Sequence, residues 1–469
     1  MSYPSKFDAP NRAKIGKSLK DIEKLLGSQG RGAWPNNSVT LLERAFGEIY
    51  RALDKGDTKD KMAFFNMSGF GTFSKIFAAM SEQKTSCVIP LKSVNSCSRT
   101  WALACKGHRA NMEFVLKNNY LTNIIDILHD RLEILVPGVN DLNGDDPETD
   151  PEEVPPQPGG PLVDPIARGI MSLLAQCLEE LSSILKKEGK SVEQSKAEDL
   201  NVRVQDQVSY MVSIGIVDML AKYLYGVQDP IDAKPEVGEF ILASMQLLSA
   251  LTGLAESLLV KSSPKAAPSD PTHLLQAFQV TDLAGTVSML YGILLHQGVP
   301  PRGEGIEPPK LPGHTIQVVI ATAQLLYRMV RQHLTMVQDV LGQEGISLEF
   351  RHIASYLLWY CQHHTEEKEL LHLIIVLVGY FAAKHSDNQI IVQSGHQPSV
   401  LQQLCNLPFP YFSQPDLKLI LFPTLISACH ENESNVGILT EEMSYQLLED
   451  FIQCPEGKDN HLVQMIVSK

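Results

Sequence analysis

Val340-Leu341-Gly342-Gln343-Glu344-Gly345 and Ile390-Ile391-Val392-Gln393-Ser394-Gly395 are two copies of one turn, 395 − 345 = 50 positions apart. Each is a short apolar run that stops at a glycine. Glycine reaches the left-handed conformation without a Cβ clash and so ends helices. After the first turn Ile346, Phe350, Ile353, Leu357 and Cys361 fall on one helical face; after the second, Val400, Leu401 and Leu404 open another amphipathic segment. Between them, residues 370–381 are apolar almost all round, the pattern of a helix enclosed by neighbours. A buried helix flanked by two amphipathic ones, repeated, spells an α-solenoid.

The same turn recurs upstream. Phe64-Phe65-Asn66-Met67-Ser68-Gly69 precedes Phe73, Ile76 and Phe77, and Phe114-Val115-Leu116-Lys117-Asn118-Asn119 precedes Leu121, Ile124, Ile125 and Leu128. Asparagine is the next-best left-handed residue, and 119 − 69 is again 50. A fifth copy ends at Gly215, followed by Val217, Leu220 and Leu224. Self-similarity at this period predicts an all-α fold, an armadillo/HEAT-like α-solenoid without a sheet.

The organisation follows from composition. A basic N-terminal helix is expected in residues 1–31, with Ile15, Leu19, Ile22, Leu25 and Leu26 as its apolar stripe and a flexible break at 27–32. Ser38 is a plausible cap for the next helix. Helical repeats fill residues 32–139 and 162–455. Residues 140–161 hold seven acids and no base, half of the excess charge in a chain of net charge −14, and read as a disordered loop dispensable for folding. Proline-rich loops fall near 262–271 and 298–313, the stretch 187–201 is polar, and residues 456–469 read as a flexible tail. No apolar run reaches about 18 residues, so no membrane insertion is expected of this region. Scattered cysteines and the lack of a signal peptide point to reduced thiols in the cytosol.

No catalytic constellation stands out, and neither an enzyme nor a cofactor is expected. Gly69-Phe70-Gly71 opens like a dinucleotide fingerprint but lacks the preceding strand and the third glycine; a helix–helix turn explains it better. Cys361, His363 and His364, like Cys97, Cys105 and His108, are too few and wrongly spaced for a zinc site.

Two basic clusters suit a partner. Arg99, Lys106 and Arg109 surround Trp101, at spacings of seven and three that would let them share a helix face. Arg351 and His352 follow the Gly345 turn, where a cation opposes the helix dipole, and Arg328, Arg331 and His333 fall near them in the repeat scheme. Arg351 is the first candidate for partner contact, Arg99 and Arg109 the second.

Residues 386–395 are similar to the second-helix-and-glycine segment of armadillo repeats, and Thr100-Trp101-Ala102-Leu103-Ala104-Cys105 resembles the start of their third helix. Armadillo transport receptors clamp peptides with an asparagine near that position; Cys105 and Tyr380 stand there in this chain, a departure from the usual nuclear-signal groove. From near residue 15 to about 453 the chain also resembles the C-terminal helical region of the SCAPER family, the S phase cyclin A-associated proteins of the endoplasmic reticulum. The resemblance rests on Ser18-Leu19-Lys20-Asp21-Ile22-Glu23-Lys24-Leu25-Leu26, Trp34-Pro35-Asn36-Asn37-Ser38-Val39, Arg203-Val204-Gln205-Asp206 and Thr315-Ile316-Gln317-Val318. It is densest at Gly345-Ile346-Ser347-Leu348-Glu349-Phe350-Arg351-His352, Leu358-Trp359-Tyr360-Cys361 and residues 387–395. The family's upstream disordered region, coiled coil and zinc finger are missing, which implies a fragment or a shortened form. The resemblance implies a cytosolic adaptor in tubulin autoregulation, at the cytosolic face of the endoplasmic reticulum. Family members are recruited by a tetratricopeptide-repeat reader of nascent tubulin on the ribosome and in turn recruit the cytoplasmic deadenylase complex, so that tubulin mRNA decays. Cyclin A binding is also attributed to the family. Arg351, His352, Arg99, Lys106 and Arg109 would then meet the reader or ribosomal RNA.

Overall fold

The computed structural model describes residues 9–28, 34–56, 58–81, 91–136, 161–188, 194–259, 270, 272–296, 298, 300 and 305–467. Among the described residues there are twenty-five helices and no strand, so the fold is all-α. The first eleven are α1 (Arg12–Ser28), α2 (Asn36–Lys55), α3 (Thr58–Asn66), α4 (Gly69–Ser81), α5 (Leu91–Cys105), α6 (Arg109–Lys117), α7 (Tyr120–Leu135), α8 (Pro165–Glu188), α9 (Gln194–Ser213), α10 (Ile216–Tyr225) and α11 (Pro235–Leu259). Next come α12 (Leu274–Val280), α13 (Thr286–Leu295), α14 (Gly313–Gln332), α15 (Leu334–Leu341), α16 (Ile346–His363), α17 (Lys368–Ala382) and α18 (Ser386–Gln393). The last seven are α19 (Val400–Cys405), α20 (Pro410–Ser413), α21 (Pro415–Cys429), α22 (Glu433–Glu442), α23 (Gln446–Gln453), α24 (Pro455–Asp459) and α25 (His461–Val467).

Two compact units divide the chain. The first takes α1 to α9, α10 through Leu220 and α11 from Gln246. In it α1 packs on α2, α2 on α5 and α5 on α8, while α3, α4, α6, α7 and α9 pack beside them. Its core is aromatic: Phe64 meets Phe70 and Phe73 edge-on at 5.1 and 5.2 Å, and Trp101 sits between Phe70, Phe77 and Tyr120. Such edge-to-face pairs add to the area they bury.

The second unit takes residues Ala221–Met245, α12 from Gln276, and α13 to α25. It has two rows. In one, α13 packs on α16, α16 on α19 and α19 on α22; in the other, α14 packs on α17, α17 on α21 and α21 on α25. The enclosed helix expected at 370–381 is α17, buried at Leu370, Ile374, Ile375, Leu377, Val378, Tyr380 and Phe381. It crosses α21 and α25 closely at Gly379, where an added Cβ would lie 2.5 Å from Thr424 Oγ1 and 2.9 Å from Leu462 Cδ2.

Four of the five turns have the left-handed residue where the sequence puts it: Asn119 (φ 59), Gly215 (φ 78), Gly345 (φ 89) and Gly395 (φ 98). In the first copy Ser68 takes that conformation (φ 58) and Gly69 begins α4. Gly69 is needed there for room, since a Cβ would fall 2.4 Å from the Phe64 ring. Other expectations shift too. Helix α2 begins at Asn36 after Pro35, so Ser38 is inside it. Pro423 lies within α21. The polar stretch 187–201 contains the end of α8 and the beginning of α9. The C-terminal residues form α24 and α25, with Leu462, Val463 and Ile466 buried, where a flexible tail was expected. The break at 27–32 falls largely outside the described residues, and so do all but residue 161 of the acidic loop and all but residue 270 of the 262–271 loop. Helix α11 is long and apolar enough to cross a membrane by length and composition, contrary to the expectation that no run qualifies, and 78% of its apolar window is buried. The described cysteines are all free.

One polar motif recurs three times. A long helix ends, a left-handed residue follows, then an N-cap side chain, and three residues later a fully buried asparagine. The left-handed residues are Gly107, Lys384 and Glu431, the caps His108, His385 and Asn432, and the asparagines Asn111, Asn388 and Asn435. Each cap accepts the asparagine's own backbone N–H, at 3.2, 3.3 and 3.0 Å. Each asparagine Nδ2 donates to the carbonyl seven residues back, Ala104, Phe381 or Ala428. It also donates to a carbonyl on an earlier short helix: Lys61, Gln338 or Gln389. Gln338 and Gln389 reciprocate, their Nε2 groups donating to the carbonyls that end α17 and α21. Carbonyls at helix ends that have no helical partner, such as those of Ala104 and Ala428, are thereby satisfied.

Candidate functional site

Arg351 lies on α16, which starts at Ile346, so it is the helix's sixth residue. The helix dipole acts within the first turn, and the electrostatic reason for singling out Arg351 therefore does not hold. Its surroundings give a better one. Its Nη1 donates to Ser394 Oγ (2.8 Å) at the end of α18, and its Nη2 to His352 Nε2 (3.1 Å). Ser394 Oγ in turn donates to the Ile391 carbonyl. A guanidinium only donates, so His352 receives this bond at an unprotonated Nε2. A Cβ built at Gly395 would lie 3.1 Å from Arg351 Cζ and 3.3 Å from both Nε and Nη1. Those near-equal distances put Gly395 over the guanidinium face.

These groups line an open cleft of about 500 Å3 together with His396, Gln397 and Val400. Arg351 and His352 are half-buried, His396 and Gln397 exposed. The far wall is fixed by a capping box, Ser399 Oγ accepting from Gln402 N–H while Gln402 Oε1 accepts from Ser399 N–H. Gln403 Nε2 ties Ser355 Oγ to it at 2.7 Å. Among the described residues no acid lines the cleft and Arg351 has no carboxylate partner. The arrangement can bind an anion.

The other predicted residues are less well placed. Arg99 stands 5.3 Å over the Tyr50 ring, and Arg109 pairs with Glu113 at 2.6 Å. Helix α5 ends at Cys105 and Gly107 turns the chain, so Lys106 and Arg109 do not continue the face of Arg99. Trp101, expected to stand among these charges, is fully buried. His108 is the buried cap of α6, its pKa lowered by desolvation and then by the nearby Lys61 charge. In the second group Arg331 lies 5.8 Å from the Tyr327 ring, away from the Arg351 cleft. His363 and His364 bond to the carbonyls of Trp359 and Pro308, and Cys361 is buried, its thiol pushed up to about 12 by desolvation, so the three do not form a metal site. Among the described residues the one triad that converges is His129, Asp130 and Glu133, on the surface of α7. Sequence reasoning missed Ser394, His396 and Gln397 as neighbours of Arg351, although the Gly395 turn one repeat later was the signal for them.

The chain is 37% identical over 465 residues, 95% of its length, to the Homo sapiens S phase cyclin A-associated protein in the endoplasmic reticulum. This chain is homologous to part of that protein. It spans about a third of the human relative's length (32%), a share that fits a C-terminal region. No family model matches the chain. The human relative is named for cyclin A association and for the endoplasmic reticulum.

Proposed function

We propose that this chain is a non-catalytic adaptor, an α-solenoid of armadillo- or HEAT-like units that presents its inter-helix turns to protein partners. The observation that carries this is the polar motif at Asn111, Asn388 and Asn435, each reaching back 46 or 50 residues to an earlier short helix. A contact made once per repeat with the preceding repeat is how such arrays hold their register. Cyclin A is the partner suggested by the human relative's name, and the endoplasmic reticulum the location; the family resemblance adds its cytosolic face. The family resemblance adds the second reading, an adaptor between a ribosome-bound reader of nascent tubulin and the deadenylase complex in tubulin mRNA decay.

One experiment separates them: pull-down of the purified chain with cyclin A, with the tetratricopeptide-repeat reader and with deadenylase subunits, in separate arms. Joint capture of reader and deadenylase supports the decay adaptor. Capture of cyclin A alone supports a cell-cycle scaffold and removes the decay role. Binding of none of the three overturns both readings.

A further inference from the structure

We propose that the Arg351 cleft is a phosphate-binding pocket for a phosphoserine or phosphothreonine side chain of a partner protein. The guanidinium is already oriented, held by Ser394 Oγ and His352 Nε2 and covered by Gly395. Of five N–H donors two are taken, which leaves 5 − 2 = 3 for a ligand. A phosphoryl group brings three acceptor oxygens and nearly two charges, and a guanidinium fork matches two of those oxygens at once. Gly395, His396 and Gln397 line the cleft, and among the described residues their backbone N–H groups make no hydrogen bond. His352 and His396 flank the site, and among the described residues no carboxylate competes for the cation.

The lining favours a single phosphorylated side chain over a nucleic-acid strand. Among the described residues Arg351 is the one permanent cation lining it, whereas a strand needs a row of lysines and arginines spaced along its phosphates. Val400 and Pro300 offer an apolar shelf for the residue beside the phosphate. The inference rests on the adaptor reading only in assigning the phosphate to a protein; it does not depend on which partner that is.

The test uses the full chain with an oriented library of phosphoserine and phosphothreonine peptides, the same peptides unphosphorylated, the same peptides with glutamate, and single-stranded RNA. Phosphopeptides should bind, and Arg351→Gln should weaken them at least about tenfold, the loss of one or two charge-assisted hydrogen bonds. Arg351→Lys should fail to restore binding, because an ammonium lacks the fork. Thermal melts of both variants establish that they are folded, and His396→Gln, on an exposed residue, should weaken binding with no effect on the melt. Equal binding of phosphorylated and unphosphorylated peptides, undiminished binding by Arg351→Gln, or binding of RNA or glutamate peptides in place of phosphopeptides would overturn the proposal. Each of these outcomes is independent of the pull-down result.

Discussion

Asn388 donates from its Nδ2 to the carbonyl of Gln338, fifty residues earlier, and Gln338 donates from its Nε2 to the carbonyls of Tyr380 and Ala383, at the end of the helix that leads to Asn388. Each side chain satisfies the backbone of the other's neighbourhood, and both are buried. Asn388→Ala removes one of the two donors to each of the Gln338 and Phe381 carbonyls and leaves a small cavity in a site closed to water. The expected cost is about 1–3 kcal/mol in chemical denaturation. Asp387→Ala, one residue away and exposed, should stay within about 0.5 kcal/mol of the parent. Equal effects from the two would mean that the buried amide does not hold the repeats together.

His108 makes the same kind of cap in the first unit, and only its neutral ring can accept from Asn111 N–H. Burial, then the Lys61 charge, lowers its pKa below the ordinary 6.5. The unfolded chain therefore takes up the proton first as pH falls. The cap's contribution is complete above the unfolded pKa and is lost as pH drops below it toward the folded one. His372 and His461 in the second unit are lowered by burial in the same sense. Asn432 performs this capping without titrating. His108→Asn should thus keep its melting temperature near about pH 7.5 and lose less of it by about pH 5.5 than the parent does.

Two glycines should respond in opposite directions. Gly395→Ala places a side chain at φ 98 and 3.1 Å from Arg351 Cζ, so it should cost about 1–2 kcal/mol and displace the guanidinium. Gly437 is exposed inside α22 with nothing within 4 Å of an added Cβ. Gly437→Ala should stabilise by about 0.5–1 kcal/mol, since alanine loses less freedom in a helix. Thermal melts of the two variants, side by side, check both signs.

At Gly379 the space itself is the constraint. Its added methyl would meet Thr424 Oγ1, which donates to the Ile375 carbonyl, and Thr424 Cα at 3.1 Å. Gly379→Ala should force α17 and α21 apart and cost about 1–3 kcal/mol, read as a lower denaturation midpoint. An unchanged midpoint would show that the crossing relaxes freely.

Much of this was legible beforehand because it is local. The left-handed turns at Asn119, Gly215, Gly345 and Gly395 follow from residue type and flanking apolar runs. Phe350, Ile353, Leu357 and Cys361 are buried as their spacing requires, because helical periodicity carries the inward face directly into sequence. The polar motif was written there as well, in Gly107-His108, Lys384-His385 and Glu431-Asn432, each followed three residues on by asparagine. It escaped notice because three different residue types occupy the left-handed position.

Helix content, the turn positions and the buried faces of α16 and α17 were thus determined by the sequence itself, since each depends on residues within a few turns of one another. The depth of Trp101, the split of Arg99, Lys106 and Arg109 by the Gly107 turn, and the burial of Leu462, Val463 and Ile466 were decided only by tertiary packing. So was the pairing of Arg351 with Ser394 and Gly395, 43 and 44 residues away. An arginine's spacing on its own helix fixes the side it points to, but what it meets there depends on where the next repeat sets its turn. That is settled by how α16, α18 and α19 pack, and no local pattern encodes it.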